Sequence, residues 1–256
     1  MIADKLRAAG CVFAEDEAKI LISSARTTAE LNDMVNKRIT GLPLEHILGW
    51  VEFCGLKIAV DTGVFIPRRR TELLVRHAIS LVRSGSVVVD LCCGSGVLGA
   101  VIAANVELIE LHAVDIDPVA VSCAHKNITG TNGHVYEGDL YEPLPSTLRN
   151  RVDILIANVP YVPTESIRLL PPEARIYEAH VALHGGEDGL DVMRRVATDA
   201  TLWLVPGGQL FVETSERQAP LAVEIFAQSG LTPQVVTDQE LDATIVIGTR
   251  TLSHLP

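Results

Sequence analysis

The chain has 256 residues, 48% hydrophobic and 21% charged, enough apolar material for one sizeable globular domain with a small appendage. A net charge of −11 excludes a broad phosphate-binding face, since counterion release rewards cations, and it argues against nucleic acid as a partner. Five cysteines, odd in number and without a C-x-x-C pair, eight scattered histidines without H-E-x-x-H, a mixed, charged start and no long apolar run point away from disulfides, metal, secretion and membrane, towards the reducing cytoplasm.

The elements follow in chain order. Ala18, Leu21, Ile22 and Ala25, then Leu31, Met34, Val35 and Ile39, recur at helical spacing. They predict short helices in a small region, residues 1–48, that cannot bury a core alone. Gly41 and Pro43 punctuate it. Alternating apolar residues from Trp50 to Phe65, with turn signals at Gly55 and Asp61-Thr62-Gly63, predict a β-hairpin linker over 49–70. Thr71 is the expected N-cap of a helix over 72–83, which opens the main domain, residues 71–256. Strands are then expected at 87–90, 111–115, 135–136, 152–157, 208–213, 234–236 and 244–248. Helices are expected at 97–104, 118–127 (with Pro118 in its first turn), 190–204 and 218–229. Alternating helices and buried strands make an α/β chain with a doubly wound, mostly parallel sheet.

Two stretches carry chemistry. The first is the end of the 152–157 strand, where Pro160 stops ladder pairing. In an open α/β sheet, ligands sit outside the carboxyl ends of the strands, so Asn158-Val159-Pro160-Tyr161 stands at the mouth of a site. The Asn158 side-chain oxygen and the Val159 carbonyl are two acceptors, suited to both protons of an NH2 group, and Tyr161 offers a ring face and a hydroxyl. The ordinary alternative is a strand-end turn. The second stretch is Asp90-Leu91-Cys92-Cys93-Gly94-Ser95-Gly96, between a strand and a helix. Its glycines let a ligand approach the backbone and the free N–H groups of a helix N-terminus. It is neither G-x-G-x-x-G nor a Walker loop. An acid there suits an amino-acid moiety better than a pyrophosphate. Asp115 ends the next strand, where an acid commonly holds ribose hydroxyls, and Asp139 follows the third, where it faces an exocyclic adenine amine. Together they describe a pocket for adenosine with a zwitterionic tail, as in S-adenosyl-L-methionine. Taken singly, each acid also reads as an N-cap or a solvated strand end. Cys92 and Cys93 read as small residues in a tight turn, with a redox pair or a metal site as the alternative.

These residues resemble the HemK-like glutamine methyltransferases that modify peptide-chain release factors. The likeness runs from about Gly41 to the C-terminus. It includes Gly41-x-Pro43, Gly49-x-x-Glu52-Phe53, Phe65-Ile66-Pro67-Arg68 with Thr71-Glu72, the 90–96 turn, Asp115, Asn158 to Tyr161, and Gly185-x-x-Asp188-Gly189-Leu190. It implies the seven-stranded, Rossmann-like sheet of class I methyltransferases. It implies that Asn158 and the Val159 carbonyl grip a glutamine amide, with Pro160 and Tyr161 shaping the pocket. Residues 92–96 and Asp115 then hold the methionine and ribose of the cofactor, with Asp139 and Leu140 at the adenine. The chain departs from the family pattern at Val159, where the family has proline, and at Arg69-Arg70, where it has a proline and an acid. The family's arginine near the last hairpin is missing around 242–244, and the N-terminal region, which helps recognise the release factor, reads as shorter. The N-P-P-Y signature is shared with amine methyltransferases acting on adenine. The alternative acceptors are therefore another peptide, a small molecule or a nucleic-acid base amine.

Overall fold

In a computed structural model that describes residues 1–251, the chain begins with four short helices, α1 (Ile2–Ala8), α2 (Ala14–Ser24), α3 (Thr28–Ile39) and α4 (Leu44–Leu48). An antiparallel hairpin of β1 (Trp50–Phe53) and β2 (Leu56–Ala59) follows. Seven further strands form one sheet: β3 (Val87–Leu91), β4 (Glu110–Asp115), β5 (His134–Glu137), β6 (Val152–Ala157), β7 (Leu204–Thr214), β8 (Leu231–Asp238) and β9 (Ala243–Arg250). Their order is β5-β4-β3-β6-β7-β9-β8. The first five are parallel, and β9 runs antiparallel to both of its neighbours.

The strand sequences explain the layering. All five residues of β3 are buried. Val88 packs on one face with α5 (Glu72–Leu81) and α6 (Val97–Asn105), whereas Val87 and Val89 pack on the other with α9 (Asp191–Trp203) and α10 (Ala219–Gln228). A strand with helices on both faces has no solvated side to mark with polar residues, hence its near-continuous apolar run. Helix α7 (Pro118–Ile128) starts where Asp117 accepts from the Val119 N–H at 2.9 Å, with proline at its first position, and a short helix α8 (Pro172–Tyr177) lies between β6 and α9.

The strand order reverses at β3, which pairs with β4 on one side and β6 on the other. Asp90 lies opposite Ile156, and Leu91 opposite Ala157. The chain therefore leaves β3 and β6 side by side, and the crevice at this switch point is where an open α/β sheet takes its ligand.

The N-terminal helices bury Leu6, Ala14, Ala18, Leu21, Met34 and Val35 against one another. Two residues expected on that inner face point out: Ile22 is 54% and Ile39 38% exposed. The bundle is too thin to cover a wider apolar stripe. Thr71 also differs from expectation. It ends a 3-10 turn, Arg69–Thr71, and makes no capping bond to α5. Among the described residues no helix is long and apolar enough to cross a membrane.

One buried cation ties the bundle to the rest. Arg38 donates from Nε to Glu17 at 2.6 Å and from Nη1 to Glu173 at 2.6 Å and the Leu42 carbonyl at 3.2 Å. The Arg38 and Glu17 side chains are only 9% and 12% exposed, so removing one leaves an uncompensated buried charge. Arg38→Ala should lower stability by about 3 kcal/mol, read as a shift of the denaturant midpoint.

Candidate active site

A cavity of about 500 Å³ opens at the β3–β6 switch point. On one side its wall carries Cys92, Cys93, Gly94, Ser95, Asp115, Asp139 and Leu140; on the other, Asn158, Val159, Pro160 and Tyr161. Of the residues singled out in the sequence, Asp90 and Gly96 are not on the wall: Asp90 is buried in β3, and Gly96 closes the turn against α7.

The turn is shaped by its own backbone. Cys92, Gly94 and Gly96 all have positive φ, at 54°, 55° and 73°. A Cβ on Gly96 would stand 2.9 Å from Ile128 Cδ1 and 3.1 Å from Ala124 Cβ, so α6 and α7 can approach only because none is there. Asp115 braces the turn: it accepts from the Gly94 N–H at 2.8 Å with one oxygen and from the Asp117 N–H at 2.9 Å with the other. Each carboxylate oxygen keeps a lone pair for a ligand. Asp90 is fully buried and accepts from the Gly99 N–H at 3.0 Å, while its Oδ1 has no partner. The Ser95 hydroxyl, on the cavity wall and 1% exposed, also lacks a partner. Asp139 pairs with Arg195 at 2.7 Å.

Burial pushes the Asp90 carboxyl up to about 7, helped by the nearby Asp115 charge and opposed by the Gly99 N–H. Burial likewise raises Asp115. It also raises the Cys92 and Cys93 thiols, with the Asp90 and Asp115 carboxylates adding to it. Both thiols stay protonated, which argues against the redox-pair alternative.

The other half of the wall is held from behind. The Gln218 amide donates to the carbonyls of Tyr161 and Asp188, each at 3.0 Å, and Ser215 donates to the Gln218 oxygen at 2.6 Å. A Cβ on Gly185 would lie 2.6 Å from the Pro160 carbonyl oxygen, and one on Gly189 2.3 Å from that of Tyr161. The Gly185-x-x-Asp188-Gly189 motif is thus a smooth backbone surface against which 160–161 lies flat. Tyr161 donates its hydroxyl to Glu213 at 3.0 Å, and Arg70 pairs with the same carboxylate oxygen at 3.4 Å. Arg68 pairs with Glu178, which also takes the Ile66 N–H at 3.4 Å. The Asn158 amide nitrogen points to the Thr71 hydroxyl at 3.5 Å.

Sequence reading missed Glu213, Gln218, Glu178 and Arg195 as members of this region. Glu213 ends a strand that reads as plain core, Gln218 follows it at the start of the next helix, and Glu178 lies in a loop without a motif. Their one sequence signal is a polar residue in an apolar setting.

The family model described as "Methyltransferase small domain" matches residues 55–187. A release factor glutamine methyltransferase of Geobacter sulfurreducens is 36% identical over 204 residues, 79% of this chain and 71% of that protein. The chain belongs to the release factor glutamine methyltransferase family. A 4-amino-L-phenylalanine/4-methylamino-L-phenylalanine methyltransferase of Streptomyces pristinaespiralis is 32% identical, over 77% of this chain and 69% of that one. The solved methyltransferase from Pyrococcus furiosus shares the fold, with a TM-score of 0.58 at 15% identity, over 88% of this chain and 98% of that one. The two-faced, seven-stranded sheet is thus the methyltransferase fold.

In this family setting Val159 is the conspicuous departure. It is 1% exposed, and among the described residues no protein group accepts its N–H. Because Pro160 follows, Val159 is already confined to the extended region. Val159→Pro should therefore raise stability by about 0.4–1 kcal/mol in a melting curve and leave the Val159 carbonyl in place.

Asp90 makes a pH prediction. Its folded-state carboxyl titrates near 7, far above the unfolded value, so the native state binds the extra proton. That contribution to stability is complete below the ordinary carboxylate range and is lost as pH rises through about 7. The slope is at most about 1.4 kcal/mol per pH unit. Asp90→Asn should flatten it, measured by denaturation between acid and neutral pH.

Proposed function

We propose that this protein is a cytoplasmic enzyme that transfers a methyl group from S-adenosyl-L-methionine to the side-chain amide nitrogen of a glutamine in a peptide-chain release factor. The observation that carries the reading is the β3–β6 pairing. It sets a glycine-bearing turn of small residues and the Asn158-Val159-Pro160-Tyr161 wall into one cavity.

The residues fit the cofactor. The turn end of the cavity carries Asp115 and Asp139 against one cation, Arg195, and so suits a ligand with positive groups rather than a phosphate. The unpartnered Ser95 hydroxyl is a free polar group for its tail. Asp115 holds the ribose diol, residues 92–96 the methionine end, and Asp139 and Leu140 face the adenine. Asp90 supports the turn from beneath through Gly99. When bound, the cofactor supplies a methyl group already activated on a sulfonium, and S-adenosyl-L-homocysteine remains afterwards.

An amide nitrogen is a poor nucleophile because its lone pair is delocalised. Asn158 Oδ1 and the Val159 carbonyl accept its two N–H bonds, draw density onto nitrogen and stabilise the positive charge that develops there; once the methyl is on, one of these two protons leaves to solvent and the neutral N-methyl amide remains. Tyr161, pinned by Glu213, covers the amide plane and excludes water. Both acceptors are fixed before the acceptor arrives, so alignment is the main contribution of the protein. We assign this chemistry to residues 71–256, of which 252–256 lie outside the described residues. Residues 1–48 serve as an appendage on the acceptor side, joined through the hairpin region, 49–70.

A second reading rests on the Streptomyces relative, whose name specifies an aromatic amine. The same grip holds an aryl NH2, so a short Gly-Gly-Gln peptide and 4-amino-L-phenylalanine should be assayed side by side. Asn158→Ala should lower kcat on the peptide at least about a hundredfold, the scale of one lost oxyanion-hole group. Asp115→Ala should weaken S-adenosylmethionine binding about tenfold or more by calorimetry, the scale of one or two charge-assisted hydrogen bonds. Transfer to the amino acid alone would replace the release-factor reading. Unchanged cofactor affinity in Asp115→Ala would remove Asp115 from the ribose.

A further inference from the structure

Thr71 has no capping role, yet it is 2% exposed and lies on the cavity wall. Its hydroxyl oxygen is 3.5 Å from Asn158 Nδ2, and the same hydroxyl faces Glu213, whose charged form it favours. A hydroxyl has one proton to give and two lone pairs to receive with. The direction of each bond is therefore decided by its neighbours.

Glu213 decides the first. Its carboxyl is 1% exposed and already takes the Tyr161 hydroxyl at 3.0 Å and the Arg70 guanidinium at 3.4 Å. Burial raises this carboxyl, and the Thr71 hydroxyl, the Arg70 guanidinium and the Tyr161 hydroxyl oppose it by favouring the charged form; held by these donors, one of them a permanent cation, it accepts from its neighbours. Its Oε2 is buried with no partner of its own, which leaves lone pairs to spare for Thr71. The Thr71 proton therefore goes to Glu213, and only lone pairs face Asn158. The NH2 end of the Asn158 amide can donate to them, whereas its oxygen would meet them lone pair to lone pair. The orientation of an asparagine amide is settled by such a network. Here it turns Oδ1 away from Thr71 and towards the cavity.

We propose that Thr71, backed by Glu213, is a positioning residue that locks the Asn158 amide with its oxygen towards the acceptor and so selects an NH2 group at the reacting position. This rests on the grip by Asn158 described above. Without the lock, Asn158 can rotate and offer its own NH2, which repels an acceptor NH2 and welcomes a carbonyl. The buried Glu213 and the Tyr161 clamp then belong to one device. One carboxylate fixes the ring that covers the acceptor and, through Thr71, the oxygen that grips it.

The test compares wild type with Thr71→Val, which keeps the shape and loses the hydroxyl, and Thr71→Ser, which keeps the hydroxyl. Neutron diffraction from deuterated wild-type crystals should show the Asn158 deuterons facing Thr71 and the Thr71 deuteron facing Glu213. On a Gly-Gly-Gln peptide, Thr71→Val should lose about tenfold or more in kcat, a fraction of the effect expected for removing the acceptor outright. Its affinity for S-adenosylhomocysteine, by calorimetry, should change less than about twofold, since no cofactor hydrogen bond is removed. Thr71→Ser should restore kcat. A neutron map with the Asn158 oxygen facing Thr71 overturns the proposal, as does an equal loss in the Val and Ser variants, which would make Thr71 a packing residue. If wild type leaves the peptide unmodified while the map shows the stated orientation, the lock stands and the release-factor reading falls.

Discussion

Everything at the site depends on the pairing of β3 with β6. Hydrogen bonds between these parallel strands bring residues 90–96 and 158–161, more than 60 positions apart in the chain, to the two sides of one crevice. A one-residue slip would turn each side chain to the opposite face. The register is protected because both strands are buried on both faces, so a slip exposes or misplaces apolar groups throughout the sheet. Precision at the cavity is thus inherited from two strands at the buried centre of the sheet.

The second constraint is electrostatic. The chain is strongly acidic, yet the carboxylates that matter here are buried: Asp90, Glu178 and Glu213 are all under 9% exposed. Burying a carboxylate is costly unless donors surround it. Glu178 and Glu213 have the cations of the 68–70 run, through Arg68 and Arg70. This explains a dense basic run in an acidic protein without invoking a polyanionic partner. Asp90 has only the Gly99 N–H, and its raised titration records that shortfall.

Charge also joins the N-terminal helices to the site. Arg38 reaches from α3 to Glu173, and the Tyr177 hydroxyl donates to the Thr40 carbonyl at 3.2 Å. Both partners belong to the segment between β6 and α9, whose Leu170, Pro171 and Ala182 line the cavity. The helical region therefore packs on a segment that lines the cavity.

The sequence by itself determined the elements and the sheet class, because hydrophobic period and turn chemistry are local. The 152–157 strand coincides with β6, and the parallel, doubly wound plan follows from alternating helices and buried strands. It also made the 90–96 turn and the 158–161 stretch legible, since glycine, proline and asparagine announce unusual backbone and free acceptors. Tertiary structure alone decided what surrounds them. Thr71 reads as a helix cap from its neighbours in sequence, but in space it meets Asn158, 87 residues away. Glu213 reads as the end of a core strand, but it gathers Tyr161 and Arg70. Such partners leave no periodic trace, because a hydrogen bond between distant segments depends on where the strands bring their ends, and that is set by the packing of the whole sheet.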